Sequence, residues 1–311
     1  MSKAKTETET ETTVTEPEFR IGRHINVSHG FVTAPWYAEQ IGCRVFQIFL
    51  GSPQQVLTKA RAEADLKLFS KELAKRDLKM IVHSSYTINL CHPATALKFK
   101  KSLKSLVQDL KATAILGPRC LGAIIHMGKN ITELKQTDEQ AIDNYVSGLH
   151  TALAQSPAPT RIVLETGAAV GTEVGSDLDS LAEIYWKLDA TDRERIGFCI
   201  DTCHIWATGY DISTRTGVKL FFTEFEDKIG IEKIVCIHFN DSRDKVHSCV
   251  DHHADLGYGE IGTKGLRAFA RRAKRHNIPI ITETPLDAVN PATNRDITIT
   301  EELATIRSWL E

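Results

Sequence analysis

At 311 residues, with 42% hydrophobic and 25% charged residues, the chain has the composition of a soluble globular protein and the length of one large domain or two ordinary ones. No run approaches the roughly 18 apolar residues of a membrane span, and the first residues lack the apolar core of a signal peptide, so membrane classes are set aside. The net charge of −2 excludes a global attraction to nucleic acid; such a partner would have to meet a local basic face or metal ions.

In chain order, residues 1–18, "MSKAKTETETETTVTEPE", offer almost no apolar surface to bury and are expected to form a disordered Thr/Glu-rich tail outside the fold. Short apolar runs rich in β-branched residues then recur: "GRHINV" (22–27), "RVFQIFLG" (44–51), "KMIVHSS" (79–85) and "AIIHMG" (123–128). They continue with "RIVLETG" (161–167), "IGFCIDTCH" (196–204), "KIVCIHFND" (233–241) and "IPIITETP" (278–285). Continuous apolar runs rather than clean alternation suit parallel strands buried on both faces. Amphipathic helical patterns lie between them, such as "EADLKLFSKELAKRD" and "TKGLRAFARRAKRHN", with Asp192 and Thr263 read as helix starts. About eight strand–helix modules predict an α/β fold, a (β/α)₈ TIM barrel forming one domain over 19–311. A doubly wound sheet is the alternative, but no Gly-rich first turn is evident.

The seven cysteines are Cys43, Cys91, Cys120, Cys199, Cys203, Cys236 and Cys249. An odd, scattered set with no C-x-x-C pair argues against a disulfide framework or a thiolate zinc site and for a reducing, intracellular compartment.

Strand ends of such a barrel surround one site. The third and fourth runs bring His83 and His126, and the fifth Glu165. The sixth brings Asp201 and His204, the seventh His238, the loop after it Asp251, His252 and His253, and the eighth Glu283. A lone histidine or carboxylate at a strand end is more often a satisfied polar residue or a cap than a ligand. So many acceptor groups on one rim, with essentially no Lys or Arg among them, would repel one another unless cations lay between. Imidazoles with carboxylates suit zinc, and also manganese or iron, in two or three adjacent sites. Clustered metals point to metal-assisted hydrolysis of a phosphodiester.

The motifs "HSSYTINLCHP" (83–93), "IIHMG" (124–128), "LETGAAVGTEVG" (164–175), "CIDTCHIWATGYD" (199–211), "HFNDS" (238–242), "VDHHADLGYGEIG" (250–262) and "ITETP" (281–285) occur in the order and spacing of a known family. From about residue 21 onward the chain resembles the endonuclease IV family of apurinic/apyrimidinic (AP) endonucleases. The resemblance implies a TIM barrel with three zinc ions per chain, manganese being possible at one or more sites. It implies cleavage 5′ to abasic sites, leaving a 3′-hydroxyl and a 5′-deoxyribose phosphate, and trimming of blocked 3′ ends in double-stranded DNA. A monomer with no membrane partner is expected.

Carried over residue by residue, His83 and His126 hold one zinc and share the bridging Glu165 with a second, which Asp201, His238 and Glu283 complete. His204, Asp251 and His253 hold the third. The family's nucleophile is a metal-bound hydroxide rather than a side chain, and Glu283 helps to position it. The family usually reads Asp-Arg-His where this chain reads Asp251-His252-His253, and residues i and i+2 of an extended segment share a side. His252 is therefore expected to face DNA or solvent. In the loop after the second strand, Gln54 and Gln55 are retained as DNA contacts, but Gln54 replaces a usual Arg and Val56 a usual Trp. Tyr86 matches the tyrosine that probes the abasic gap. The basic stretches 98–106 and 265–277 are candidate backbone contacts, although most such runs are solvated helix faces.

Two other readings remain. A sugar isomerase or epimerase of the same barrel type would use Glu165, Asp201, His238 and Glu283 alone. A non-catalytic DNA-binding barrel would be expected to have lost some of the ligand set.

Overall fold

The apolar runs form eight strands that close into a barrel. They are β1 (Ile21–His24), β2 (Val45–Phe49), β3 (Lys79–His83), β4 (Cys120–Ile125), β5 (Ile162–Glu165), β6 (Ile196–Asp201), β7 (Ile234–His238) and β8 (Ile280–Thr282). Each pairs in parallel with its neighbours, and β1 pairs with both β2 and β8 to complete the closure. The computed structural model describes residues 19–28, 30–56 and 59–311, so the expected Thr/Glu tail lies outside the described residues.

Helices wrap the outside: α1 (Ala34–Gln40), α2 (Glu63–Lys75), α3 (Leu97–Leu116), α4 (Asp138–Ala154), α5 (Leu178–Lys187) and α6 (Ala190–Arg193). They continue with α7 (Thr202–Ala207), α8 (Arg215–Lys228), α9 (Gly262–Arg275) and α10 (Ile299–Leu310). Aliphatic and aromatic side chains such as Phe46, Phe69, Leu110, Leu149, Phe198 and Phe269 fill the layer between strands and helices. No helix among the described residues is long and apolar enough to cross a membrane. The seven cysteines are all free thiols, and Cys249 is the exposed one.

Two expected helix starts are displaced. Asp189, not Asp192, caps α6 by accepting from the Asp192 N–H, and the Asp192 carboxylate instead meets His150 Nδ1 at 2.6 Å. Thr263 lies inside α9, whose cap residue Ile261 has no side-chain oxygen to offer. The Asp241 carboxylate, just past β7, accepts the N–H groups of Ile261 (2.9 Å) and Gly262 (3.3 Å) from a distance. A tertiary acceptor thus takes the place of a local cap.

That carboxylate also accepts from Gly257 (3.0 Å) and Gly259 (3.1 Å). A side chain at Gly259 would collide with the Ser242 carbonyl at 2.3 Å, so only glycine lets the loop fold this closely. The turn is held by a two-residue ribbon, Asp241–Ser242 antiparallel to His253–Ala254, which brings residues 251–253 back over the barrel mouth.

Inside the barrel, Val45, Ile81, Ile124, Val163, Cys199, Cys236 and Ile281 pack into one apolar layer. Successive strand residues point to opposite faces, so the residue two further on projects into the barrel one step nearer the C-terminal rim. Those residues are Gln47, His83, His126, Glu165, Asp201, His238 and Glu283. His24 of β1, paired with Gln47, completes the ring.

Candidate metal centre

The ring and the ribbon converge at the C-terminal mouth of the barrel. Glu165 is central: its Oε2 lies 3.3 Å from His83 Nε2 and 3.2 Å from His126 Nε2, and its Oε1 lies 2.7 Å from His238 Nδ1. His238 Nδ1 also faces Glu283 Oε2 at 3.1 Å and Asp201 Oδ2 at 3.9 Å. Asp251 Oδ1 sits 3.2 Å from His204 Nε2 and 3.1 Å from His253 Nε2, and His253 Nε2 is 3.5 Å from Asp201 Oδ2. Donor atoms within 4.8 Å of one another therefore form overlapping groups. These are His83–His126–Glu165, Glu165–Asp201–His238–Glu283, and Asp201–His204–His253 with Asp251 alongside.

Each of three buried imidazoles is oriented by its other nitrogen. His83 Nδ1 donates to the Ser84 carbonyl at 2.7 Å, His204 Nδ1 to the Thr166 carbonyl at 2.7 Å, and His238 Nε2 to Gln47 Oε1 at 2.7 Å. The nitrogen left over in each case is the one facing the carboxylates, the tautomer that a metal-binding histidine requires. Asp201 is fixed in the same way. Its Oδ1 accepts from the Cys203 (2.7 Å) and His204 (3.1 Å) N–H groups at the start of α7, and its Oδ2 accepts from Asn240 Nδ2 at 2.8 Å.

The electrostatics describe a pocket that attracts cations. Burial disfavours a charged His238, yet Glu283 and Glu165 outweigh it and push its pKa up to about 10. Burial likewise opposes a charged His253, but Asp201 and Asp251 push it up to about 9. Burial would raise Glu165, and the imidazoles of His238 and His126 hold it well below the usual carboxylate range instead. His126 shows the opposite balance: burial wins over Glu165 and lowers it to about 4, leaving a neutral ligand-type imidazole. Interleaved carboxylates and imidazoles of this kind match hard-to-borderline divalent ions such as zinc or manganese. The donor set fits the group implied by the sequence.

A sequence profile described as "Xylose isomerase-like TIM barrel" matches residues 37–309. "Putative endonuclease 4" of Acanthamoeba polyphaga mimivirus is 64% identical over 292 residues, covering 94% of each chain. "Probable endonuclease 4" of Halothermothrix orenii is 31% identical, over 86% of this chain and 93% of that relative. The chain belongs to the endonuclease IV family. The crystal structure of endonuclease IV from Thermus thermophilus superposes with a TM-score of 0.76 at 27% identity, covering 94% of this chain and 98% of that one.

Within this endonuclease IV fold, the structure brings together all nine residues proposed from the sequence as metal ligands. It sets His252 apart: its side chain is 59% exposed and faces Asp244 Oδ2 at 3.4 Å, away from the donor groups. Tyr86 stands half-exposed at the mouth, its ring edge-on to His83 at 5.3 Å and His126 at 5.0 Å. Its N–H donates to the Pro53 carbonyl at 2.9 Å, which ties it to the loop carrying exposed Gln54 and Gln55. The same carbonyl accepts from Ser85 Oγ at 2.9 Å, so Tyr86 and this loop form one connected edge. Val56, where the family usually has Trp, packs against the core instead of projecting outward.

Four contributors are not evident from the sequence as parts of the site. Gln47 Nε2 donates to Glu283 Oε1 at 2.6 Å and contacts His24 Nδ1 at 3.0 Å while its Oε1 holds His238, so one amide orients three neighbours. Asn240 Oδ1 accepts the Glu283 N–H at 2.9 Å, linking the ends of β7 and β8. His24 is a neutral acceptor, its pKa lowered to about 3 by burial and by His83 and His238. Cys203 Sγ lies in a donor group with Asp251 and His253, but burial and Asp201 push the thiol up to about 12. The signal that points to Gln47 is its i+2 spacing from the inner layer, the same spacing that His83 and Glu165 show.

Of the basic stretches, 265–277 turns away from the mouth. Arg271 Nε donates to the Trp309 carbonyl at 2.7 Å, Lys274 Nζ to the Leu310 carbonyl at 3.1 Å, and Arg272 lies over the Phe222 ring. These side chains pack on the outside of the barrel. They are not part of a rim contact.

Proposed function

We propose that this chain is a zinc-dependent AP endonuclease that hydrolyses the phosphodiester 5′ to an abasic site in double-stranded DNA. The products would be a 3′-hydroxyl and a 5′-deoxyribose phosphate, and blocked 3′ ends would be trimmed in the same site. The observation that carries this reading is the convergence of nine His, Asp and Glu side chains at one barrel mouth, with buried imidazoles oriented by their second nitrogens.

His83, His126 and Glu165 would hold one ion; Glu165, Asp201, His238 and Glu283 a second; and His204, Asp251 and His253 a third. Divalent ions there would supply positive charge to phosphate oxygens and lower the pKa of a water. The chain's own residues do the rest. Gln47 holds Glu283 Oε1 while Oε2 faces His238 Nδ1, and Asn240 fixes the backbone of the same residue; held in this way, Glu283 would help to orient the attacking water. The cavity beside the cluster, about 560 Å³, is lined by Tyr86, His126, Glu165, Asp251 and Glu283 and has room for an extruded sugar-phosphate. Tyr86 at its edge would occupy the gap left by the missing base, where unstacking costs least.

The test is incision of a duplex carrying a single tetrahydrofuran abasic analogue, before and after prolonged chelation. Specific incision that is lost on chelation and restored by zinc is expected, with about three zinc ions per chain by elemental analysis. No incision, together with one ion per chain, would favour a sugar isomerase or epimerase. Such a reaction has no use for His83, His126, His204, Asp251 and His253. Tyr86→Ala is expected to weaken binding to abasic duplex by about tenfold and to intact duplex by much less, since stacking contributes about 1–3 kcal/mol. Equal losses on both duplexes, measured by fluorescence anisotropy, would refute the lesion-probing role.

A further inference from the structure

The metal cluster is bordered by acidic and imidazole groups, yet its cavity has one lysine in its lining, Lys129. The backbone of Lys129 is clamped on two sides. Asn89 Nδ2 donates to its carbonyl at 2.9 Å and Asn89 Oδ1 accepts its N–H at 3.2 Å, while Lys129 bridges to Glu173 across the loop after β5. A side chain at Gly128 would meet Cys91 Sγ at 2.3 Å, so the segment is packed against the barrel with no slack. Its side chain is exposed and forms no ion pair with the described residues.

Next to this cavity lies a second depression of about 360 Å³, lined by Asn89 and Ile131, which both cavities share, and by Val56, His92, Lys98 and Lys101. Lys98 and Lys101 belong to the first turns of α3, which stand near the rim because β3 ends there. Both are exposed, and neither pairs with a carboxylate among the described residues. Lys67, Lys187 and Lys228 are each matched to Asp or Glu neighbours on the outer helices, while Lys75, Lys111 and Lys274 have no ion pair among the described residues, so what singles out Lys98, Lys101 and Lys129 is their place beside the cavities. Lys129 acts electrostatically on Glu173 in the same lining without a close ion pair, and Lys98 and Lys101 have no carboxylate partner among the described residues. Ammonium groups in adjoining depressions, leading out of an acidic cluster, are an arrangement suited to a polyanion.

We propose that Lys129, Lys98 and Lys101 form a phosphate track along which one DNA strand leaves the metal cluster, passing over Asn89 and Ile131 toward the start of α3. The proposal rests on the AP endonuclease reading for the identity of the polyanion. Each lysine would contact a nonbridging phosphate oxygen, so the track gives affinity and register and carries no base sequence information.

The experiment compares K98Q/K101Q/K129Q with K75Q/K111Q/K274Q, which removes the same charge from exposed lysines far along α2, α3 and α9. Binding of the tetrahydrofuran duplex is followed by anisotropy over a range of salt, and incision is measured in parallel. The track variant is expected to bind at least about tenfold more weakly, with the slope of log K against log salt reduced by about two to three. The control variant should keep the wild-type slope, and Lys129→Arg should stay close to wild type where Lys129→Gln weakens binding. A wild-type slope in the track variant, or equal slope losses in both variants, would overturn the track. Wild-type protein that binds with the expected slope but does not incise would overturn the AP endonuclease reading and leave the track supported.

Discussion

Glu165→Gln is expected to lower incision of an abasic duplex by about 10³-fold or more, because on the proposed assignment the substitution removes charge from the point where two ion sites would meet. The amide has nearly the same shape, so packing around this buried side chain is preserved. What changes is the carboxylate that His83 and His126 approach through Oε2 and His238 through Oε1. A neutral amide bridges two cations poorly, so elemental analysis should find ions depleted from both groups that share Glu165. The group around His204, Asp251 and His253 takes no donor atom from Glu165, whose Oε1 lies 3.8 Å from the far nitrogen of His204, and should retain its ion. A cooperative melting transition would show that the fold survives. Activity within about tenfold of wild type would sink the bridging assignment.

His253→Ala and His252→Ala, adjacent substitutions of the same residue type, are expected to give opposite results. His253 Nε2 lies 3.1 Å from Asp251 and 3.5 Å from Asp201, and its side chain is 20% exposed. His252 alternates to the other side of the ribbon, 59% exposed, with Asp244 as its partner. Removing His253 takes one donor from a site with few protein ligands and should cost about one ion per chain and at least about 10²-fold in incision. Removing His252 should leave metal content at the wild-type value and alter DNA binding modestly. Equal ion loss in the two variants would refute the assignment.

The barrel is legible in the sequence because the strands are short and apolar, and most are punctuated by a polar residue at the rim end. Six of the eight apolar runs contain an observed strand, and the runs 22–27 and 123–128 overlap β1 and β4, which begin earlier at Ile21 and Cys120. The candidate ligand residues are legible for a related reason: His83, His126, Glu165, Asp201, His238 and Glu283 interrupt apolar stretches that otherwise have no need of charge. Gln47 is not, because a single amide within "VFQIF" looks like any tolerated polar residue. Its i+2 spacing from the inner layer places it on the barrel axis, but its bonds to His238 and Glu283 are what reveal its role. The helix starts at 189 and 261 differ from expectation for separate reasons. A nearby aspartate is the true cap in one case, and in the other a carboxylate distant in sequence supplies the acceptor.

By itself the sequence determined the strand count, the parity that turns one residue per strand toward the barrel axis, the chemical types of the donors and the family motifs. These follow from alternation along the chain, which is local and covalent. Tertiary structure decided which imidazole nitrogen faces the cluster, that Glu165 lies between two groups, that His252 turns away, and that Lys98 and Lys101 border a depression adjoining the one Lys129 lines. Those outcomes depend on strand register, barrel closure and the fold of the 241–262 loop. Contacts of this kind join residues as far as 236 positions apart, as between Gln47 and Glu283, and no local pattern encodes them.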